Sequence, residues 1–323
     1  MAVDAADVLT CPVCAESLEQ QHAKGVVYPF GGKEKKEETP QAIYFCLRCG
    51  VGFAFPMLTE EQLKVLYEQG GYWQKLSVEV LSFQKYPVQY LLAKARWDLI
   101  ETSFKNDQRR KATVSVLDVG AGHGFLGMMA AQSGTIKLSD YTAVETDSWL
   151  ADSIRLTWQK KYPAVKLTLK KNIDEVDGRY DVIVLSHILE HLPKPNALLS
   201  SVSLRLKDDG FAMIDVPCRD YLFKENVFPH VLFFDTASLK KLCEYNHFTV
   251  ERIDGYGRAF SASPFKQENQ KKPEAILEKI LFKSRWILPL AMLEKFYSFY
   301  LGVDQQNSQG TWLRALIRKK RRH

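Results

Sequence analysis

No stretch of this 323-residue sequence sustains the roughly 18 apolar residues of a spanning helix. Residues Met1 to Thr10 carry Asp4 and Asp7 and no basic segment running into an apolar one. Neither a membrane anchor nor a secretory leader is expected, and the reading places the protein in the cytoplasm. Cysteine is scarce as well. There are six, four of them in two CxxC pairs, which is no disulfide framework and points to a metal in a reducing compartment. One-sided charge is also missing over any domain-sized length, while 46% apolar and 12% aromatic residues suffice for a core, so wholesale disorder is excluded. The net charge of +6 is concentrated at one end, with 13 Lys/Arg against 5 Asp/Glu over residues 266–323. A nucleic-acid binder carries its basic surface on its main face, so the body of the chain does not read as one.

What is present begins with Cys11-Pro12-Val13-Cys14 and Cys46-Leu47-Arg48-Cys49-Gly50. Two thiolates on each of two tight turns can close a tetrahedral shell around Zn²⁺, and four cysteines leave no open position, so Cys11, Cys14, Cys46 and Cys49 read as a structural site. The alternative is four plain thiols. Val26 to Tyr28 and Ile43 to Phe45 read as strands of a hairpin whose tip carries the charged run Lys33 to Glu38. Cys218 and Cys243 stand alone and read as core residues.

From about residue 112, β-branched runs alternate with helical patterns, the mark of a parallel sheet covered by helices. The expected strands are 115–119, 141–145, 166–169, 181–185, 211–216 and 248–253, with a helix at 236–246. Six strands in this pattern make a doubly wound α/β sheet. The first runs into Asp118-Val119-Gly120-Ala121-Gly122-His123-Gly124, where glycines let the backbone approach a ligand and the following helix offers free N–H groups. Glu145 closes the second strand, placed to accept hydrogen bonds from ribose hydroxyls. NAD also satisfies these two features, so the choice of cofactor rests on other residues.

The segment Val116 to Gly124 resembles motif I of class I S-adenosylmethionine-dependent methyltransferases, with an acidic residue ahead of the glycines. Tyr180 to Leu192 resembles the fourth-strand motif of that family, and Leu206 to Pro217 its turn into the fifth strand. The resemblance spans roughly residues 90–255 and implies a Rossmann-like methyltransferase fold. It further implies that Asp118, Gly120, Gly122 and Gly124 hold the methionine part of the cofactor and Glu145 its ribose. Asn172 and Ile173, after the third strand, fall where the adenine contact usually comes, and Ser186 counts among the cofactor residues. The residues Asn226 to Phe234 resemble a loop of zinc-ribbon sugar methyltransferases in which a Glu-His pair supplies the base. Here Pro229 stands in the glutamate position before His230.

Histidine titrates near physiological pH, so His187, His191 and His230, all near carboxyl ends of strands, are the candidate proton acceptors. His187, Glu190 and His191 also suggest a metal site, and the plainer reading makes Glu190 and His191 caps or braces of the helix that starts there. The expected architecture is a zinc ribbon over 1–56, a helical linker and cofactor lid over 57–111, the cofactor-binding core over 112–262 and a basic helical extension over 263–323. Thr59 is expected to cap a helix in the linker, and Tyr67, Tyr72 and Trp73 are candidate pocket walls. Trp312, Leu313, Leu316 and Ile317 beside Arg314 and Lys319 to Arg322 read as an amphipathic helix, fit for a membrane surface or a docking partner over 311–322. The expected acceptor is a small sugar-linked metabolite. An RNA methyltransferase and a non-catalytic cofactor-binding scaffold are the competing functions; the oligomeric state is not legible.

Overall fold

A computed structural model describes residues 9–18, 22–30, 37–68, 77–106, 113–224, 227–259, 283–284 and 286–320. Tyr72, Trp73, Asn226, residues 263–282 of the expected helical extension, most of the Lys33-to-Glu38 run, and Arg321 and Arg322 lie outside them. No helix among the described residues is long and apolar enough to cross a membrane.

The N-terminal part is built from strands β1 (Leu9–Thr10) and β2 (Ser17–Leu18), the hairpin β3 (His22–Phe30) and β4 (Glu37–Phe45), and β5 (Gly52–Phe55). Helices α1 (Glu60–Glu68) and α2 (Pro87–Asn106) follow. Thr59 opens α1 as expected: its hydroxyl accepts from Gln62 N–H while the Gln62 side chain accepts from Thr59 N–H.

The core alternates β6 (Thr113–Val119), α3 (Phe125–Gln132), β7 (Lys137–Val144), α4 (Ser148–Lys161), β8 (Lys166–Lys170), β9 (Tyr180–Ser186), α5 (Pro195–Arg205), β10 (Leu206–Pro217), the short β11 (Leu232–Phe233), α6 (Thr236–Tyr245) and β12 (Phe248–Ala259). Every expected strand is present. Within β6 and β9, Val116, Val182 and Val184 enter one apolar layer with Trp97, Phe125 and Ile154, whereas Leu117, Ile183 and Leu185 enter the other with Leu199 and Leu239. Successive strand residues point to opposite faces, so burial on both sides requires these near-continuous apolar runs.

The C-terminal segment departs from the helical reading. Helix α7 (Leu290–Leu301) forms, but β13 (Gly310–Lys319) is a strand inserted between β10 and β12, antiparallel to both. Trp312, Leu313, Ala315, Leu316 and Ile317 are all buried, leaving no polar face for a surface helix. The spacing 312, 313, 316, 317 suits a helix stripe, but the apolar run is covered on both sides, as an interior strand demands. Residues 310–319 therefore form no amphipathic helix, and the central sheet draws on the chain far beyond residue 262.

The seven-stranded sheet has the order β12-β13-β10-β9-β6-β7-β8, with β13 alone reversed. Chain order reverses between β6 and β9, where an open α/β sheet leaves a crevice at its strand ends. Within α3, Gly127 is pressed on Tyr141: an added Cβ would lie 2.4 Å from the phenol ring, whose retreat is blocked by Trp158 stacked at 4.9 Å. Gly127→Ala is expected to cost about 1–3 kcal/mol in denaturant unfolding through overpacking. An unchanged midpoint would mean that the ring has somewhere to go.

Candidate functional site

The crevice between β6 and β9 opens into a cavity of about 580 Å³, within the range of small-molecule sites. One wall is the loop after β6. Gly120 and Ala121 N–H both donate to Val144 O, folding the loop over the end of β7. Gly120 has φ +70°, and a Cβ there would strike Ile188 at 2.3 Å; Gly122 has φ +55° with open space above it. Only glycine combines that backbone with that approach, and the opening over Gly122 faces the cavity.

Asp118 and Glu145 line the same wall. The Asp118 carboxylate accepts from Tyr141 Oη at 2.7 Å, and burial raises its pKa to about 6 against the pull of that bond and of Arg96. Glu145 accepts from Gly122 N–H at 2.7 Å and Asp147 N–H at 2.9 Å; burial nonetheless lifts it to about 7. Ser186 and Gly120 line the cavity too. Gly124, with φ +64°, precedes α3 and faces Ile154. Asn172 and Ile173 are not among the lining residues. Asn172 is exposed and caps a turn by accepting from Asp174 N–H, and Ile173 is buried in the apolar core.

All three candidate histidines line the cavity as well. His187 ends β9 with φ +52°, its N–H donating to Asp215 O. That left-handed backbone is costly for a non-glycine residue and turns the chain sharply at the strand end. Its Nδ1 lies 3.1 Å from Glu190 Oε1. The Glu190 carboxyl is almost wholly buried; burial would raise its pKa, but the hydrogen bond of His187 and the neighbouring histidines pull it below the usual range. Burial pushes His191 down to about 4 against the pull of Glu190, so it is neutral near pH 7.

His230 is buried at the end of a loop, its Nδ1 2.7 Å from Asp220 Oδ2. Burial alone would raise Asp220, but the hydrogen bond and charge of His230 and the ammonium of Lys224 hold it at about 2. With Nδ1–H donated to a carboxylate, Nε2 is the acceptor nitrogen. The orienting carboxylate that Pro229 cannot supply therefore comes from Asp220, ten residues upstream. Sequence reasoning missed it, as it missed Arg96, Gln89 and Lys224 on the cavity wall. Tyr67 does line the cavity, its ring 5.8 Å from that of His191. Glu190, His191 and His230 bring one potential ligand atom each within 4.8 Å of the others.

The four cysteines gather as expected. Cys11 and Cys49 sulfurs are 3.5 Å apart, as are those of Cys14 and Cys46, and all four lie within 4.8 Å. Tetrahedral Zn–S bonds of about 2.3 Å require sulfur separations of about 3.8 Å, so the set fits such an ion with small adjustments. Cys218 and Cys243 are buried, their thiols pushed up to about 12 by burial. The ribbon is joined to the site. Strand β5 pairs with β11, Ala54 N–H donates to Val231 O, and Val231 N–H donates to Glu190 O. The loop carrying His230 is thus stitched between ribbon and core.

A glycine-rich loop at the switch point of a doubly wound sheet, faced by acidic residues and histidines, defines a nucleotide-cofactor-binding α/β protein. Residues 88–269 match the family model described as "Methyltransferase domain", and the chain belongs to that family. Among curated relatives, a ubiquinone biosynthesis O-methyltransferase of Vibrio campbellii is 25% identical over 158 residues, covering 43% of this chain and 66% of that protein. A ribosomal protein L11 methyltransferase of Thermosipho melanesiensis is 29% identical over 120 residues, covering 36% and 44%. The chain thus spans less than two thirds of these relatives. Coclaurine N-methyltransferase bound to N-methylheliamine and SAH superposes with a TM-score of 0.46 at 17% identity, over 70% of this chain and 72% of that one.

Proposed function

We propose that the protein is an S-adenosylmethionine-dependent methyltransferase acting on a hydroxyl or carbon acid of a small polar metabolite, with sugar nucleotides as the acceptor class. The observation that carries this reading is one cavity lined both by Asp118, Gly122 and Glu145 and by the Asp220-backed His230. The cofactor supplies an electrophilic methyl group on a sulfonium. Asp118 and Glu145 offer acceptors for the ammonium and the ribose hydroxyls, and the open face of Gly122 admits the ligand against the backbone. His230 Nε2 takes the acceptor's proton; Asp220 fixes the tautomer and stabilises the imidazolium that forms. His187, held by Glu190, lines the cavity beside it. The sugar assignment rests on the order of ribbon and core, shared with the zinc-ribbon sugar methyltransferases that the sequence resembles. The cluster of Cys11, Cys14, Cys46 and Cys49 is proposed to hold structural zinc.

Calorimetry tests the cofactor: S-adenosylmethionine and S-adenosylhomocysteine are expected to bind and NAD to be ignored. The reverse pattern sinks the assignment. Transfer of labelled methyl groups to a panel of sugar nucleotides tests the acceptor. Affinity also reports protonation. An ammonium and ribose O–H donors select ionised Asp118 and Glu145, whose values of about 6 and 7 are raised. Binding of S-adenosylhomocysteine should therefore strengthen as pH rises from about 5.5 to 8 and then level off. Linkage gives the unliganded protein the opposite trend: the folded state holds these protons more tightly than the unfolded chain, so their contribution to stability is lost as pH rises through about 7. A flat affinity profile would show that neither carboxylate titrates against the ligand.

A further inference from the structure

Helix α7 is apolar on two faces. Leu293, Tyr297, Tyr300 and Leu301 are buried in one cluster with Phe83, with Leu91 and Ala95 of α2 and with Trp312 of β13, which fixes the inner face. The outer face carries Met292, Phe296 and Phe299, spaced four and three residues apart and so aligned in one stripe. The turn leading into the helix, closed by Ile287 N–H donating to Ser284 O, adds Trp286 and Ile287. Ile287 is 84% exposed, Phe299 67% and Trp286 65%, so these side chains project from the surface instead of lining a hollow. A cluster of large apolar side chains left bare on so short a segment marks a surface that meets something other than water.

The charges beside this stripe are positive. Lys283 and Lys295 are exposed, and Arg258 of β12 holds its guanidinium 5.8 Å from the Phe299 ring. Glu294, the one acid of the helix, is half-buried and near enough to α2 for its charge to act on Lys94 there. The sequence leading into the helix is basic too, with six Lys/Arg against three Glu over residues 266–285. A second copy of the chain is a poor cover for such a face, because a two-fold contact sets a patch against itself, here cations against cations. Protruding aromatic and aliphatic tips suit the boundary between headgroups and acyl chains, where the stems of lysine and arginine lie along apolar surface and their charges reach the phosphates.

We propose that the segment from Trp286 to Phe299 seats the protein on an anionic membrane surface, with the apolar stripe of α7 entering the headgroup boundary and Lys283, Lys295 and Arg258 meeting the lipid phosphates. The seat is distinct from the cavity. Helix α2 stands between them, its Leu91 and Ala95 packed with α7 while Gln89, Ala93 and Arg96 line the cavity. The proposal therefore does not depend on the cofactor reading, and none of the residues it uses lines the cavity.

Flotation of the full chain with vesicles tests it, comparing phosphatidylcholine alone with phosphatidylcholine containing about one third phosphatidylglycerol at about 0.15 M salt. The wild type should rise with the anionic vesicles and stay behind with the neutral ones. Ile287→Asp combined with Phe299→Asp should lower the partition coefficient by about a hundredfold, with an unchanged melting midpoint because both side chains are exposed. Lys283→Glu combined with Lys295→Glu should lower it by about tenfold or more. If the aspartate pair melts early, Ile287→Ser with Phe299→Ser takes its place and should still cost about tenfold. A wild type that ignores anionic vesicles overturns the proposal, as does equal flotation with both lipids or binding that survives the substitutions at Ile287 and Phe299. A wild-type dimer in light scattering that the same substitutions dissociate would give the face to a second copy and overturn it as well.

Discussion

Replacement of His230 by alanine is expected to lower methyl transfer by about 10²- to 10⁴-fold, the usual yield of a general base, while S-adenosylhomocysteine affinity stays within about twofold. The separation follows from the lining, to which His230 and the glycine loop are contributed by separate segments of the chain. Asp220→Asn should fall between the wild type and the alanine variant. It keeps the side chain's shape but removes the charge that orients the ring and sets its tautomer. Steady-state kinetics with the preferred acceptor provides the measurement. Near-normal turnover in His230→Ala would pass the role to His187, whose carboxylate partner is Glu190 at 3.1 Å. Near-normal turnover in both would show that the acceptor reacts without losing a proton to a side chain.

The second large effect concerns the cysteines. Cys46→Ser combined with Cys49→Ser should abolish stoichiometric zinc and unfold the ribbon, because so small a module cannot stabilise itself by burial; structural zinc contributes about 10–16 kcal/mol in isolated zinc-binding peptides. The damage should spread. Cys46, Cys49, Val51 and Phe53 share one apolar cluster with Leu189, Val231 and Leu239 of the core, and Asn196 reaches across to Val13 O at 2.9 Å. Hydrogen exchange should report lost protection at the amides of Ala54 and Val231, with turnover falling in parallel. Metal analysis finding no zinc in the wild type, with exchange at those amides unaltered by the substitutions, would refute the account.

The fold was largely legible because the interior strands have no polar face to disguise them, and because a glycine loop leaving the first strand marks the crevice. The last strand was not. Its spacing fits a helix as well as a strand, and its place between β10 and β12 depends on partners about 50 to 105 residues away in sequence. Arg314 deepened the misreading, since a charge in an apolar run suggests a surface, whereas here Asp215 and Tyr256 receive it. The same limit hid the remaining parts of the site. Asp220 and Arg96 belong to no motif, and only folding brings them to the cavity. The proline before His230 removed the local signal for an orienting carboxylate. Conversely, Asn172 stood where the resemblance places a ligand contact, but it is engaged in capping a turn.

The two-residue pairing of β11 with β5 bears on how this chain can be divided. The outermost strand of the ribbon sheet is lent by the core, three residues beyond Pro229. A fragment starting at residue 57 would bare the edge of Leu232 and Phe233, leaving unpaired amides and apolar side chains that invite self-association. A ribbon expressed alone would want for the same strand. Neither half is a detachable cassette, and a graft onto another scaffold would have to carry residues 227–234 along with the cysteines.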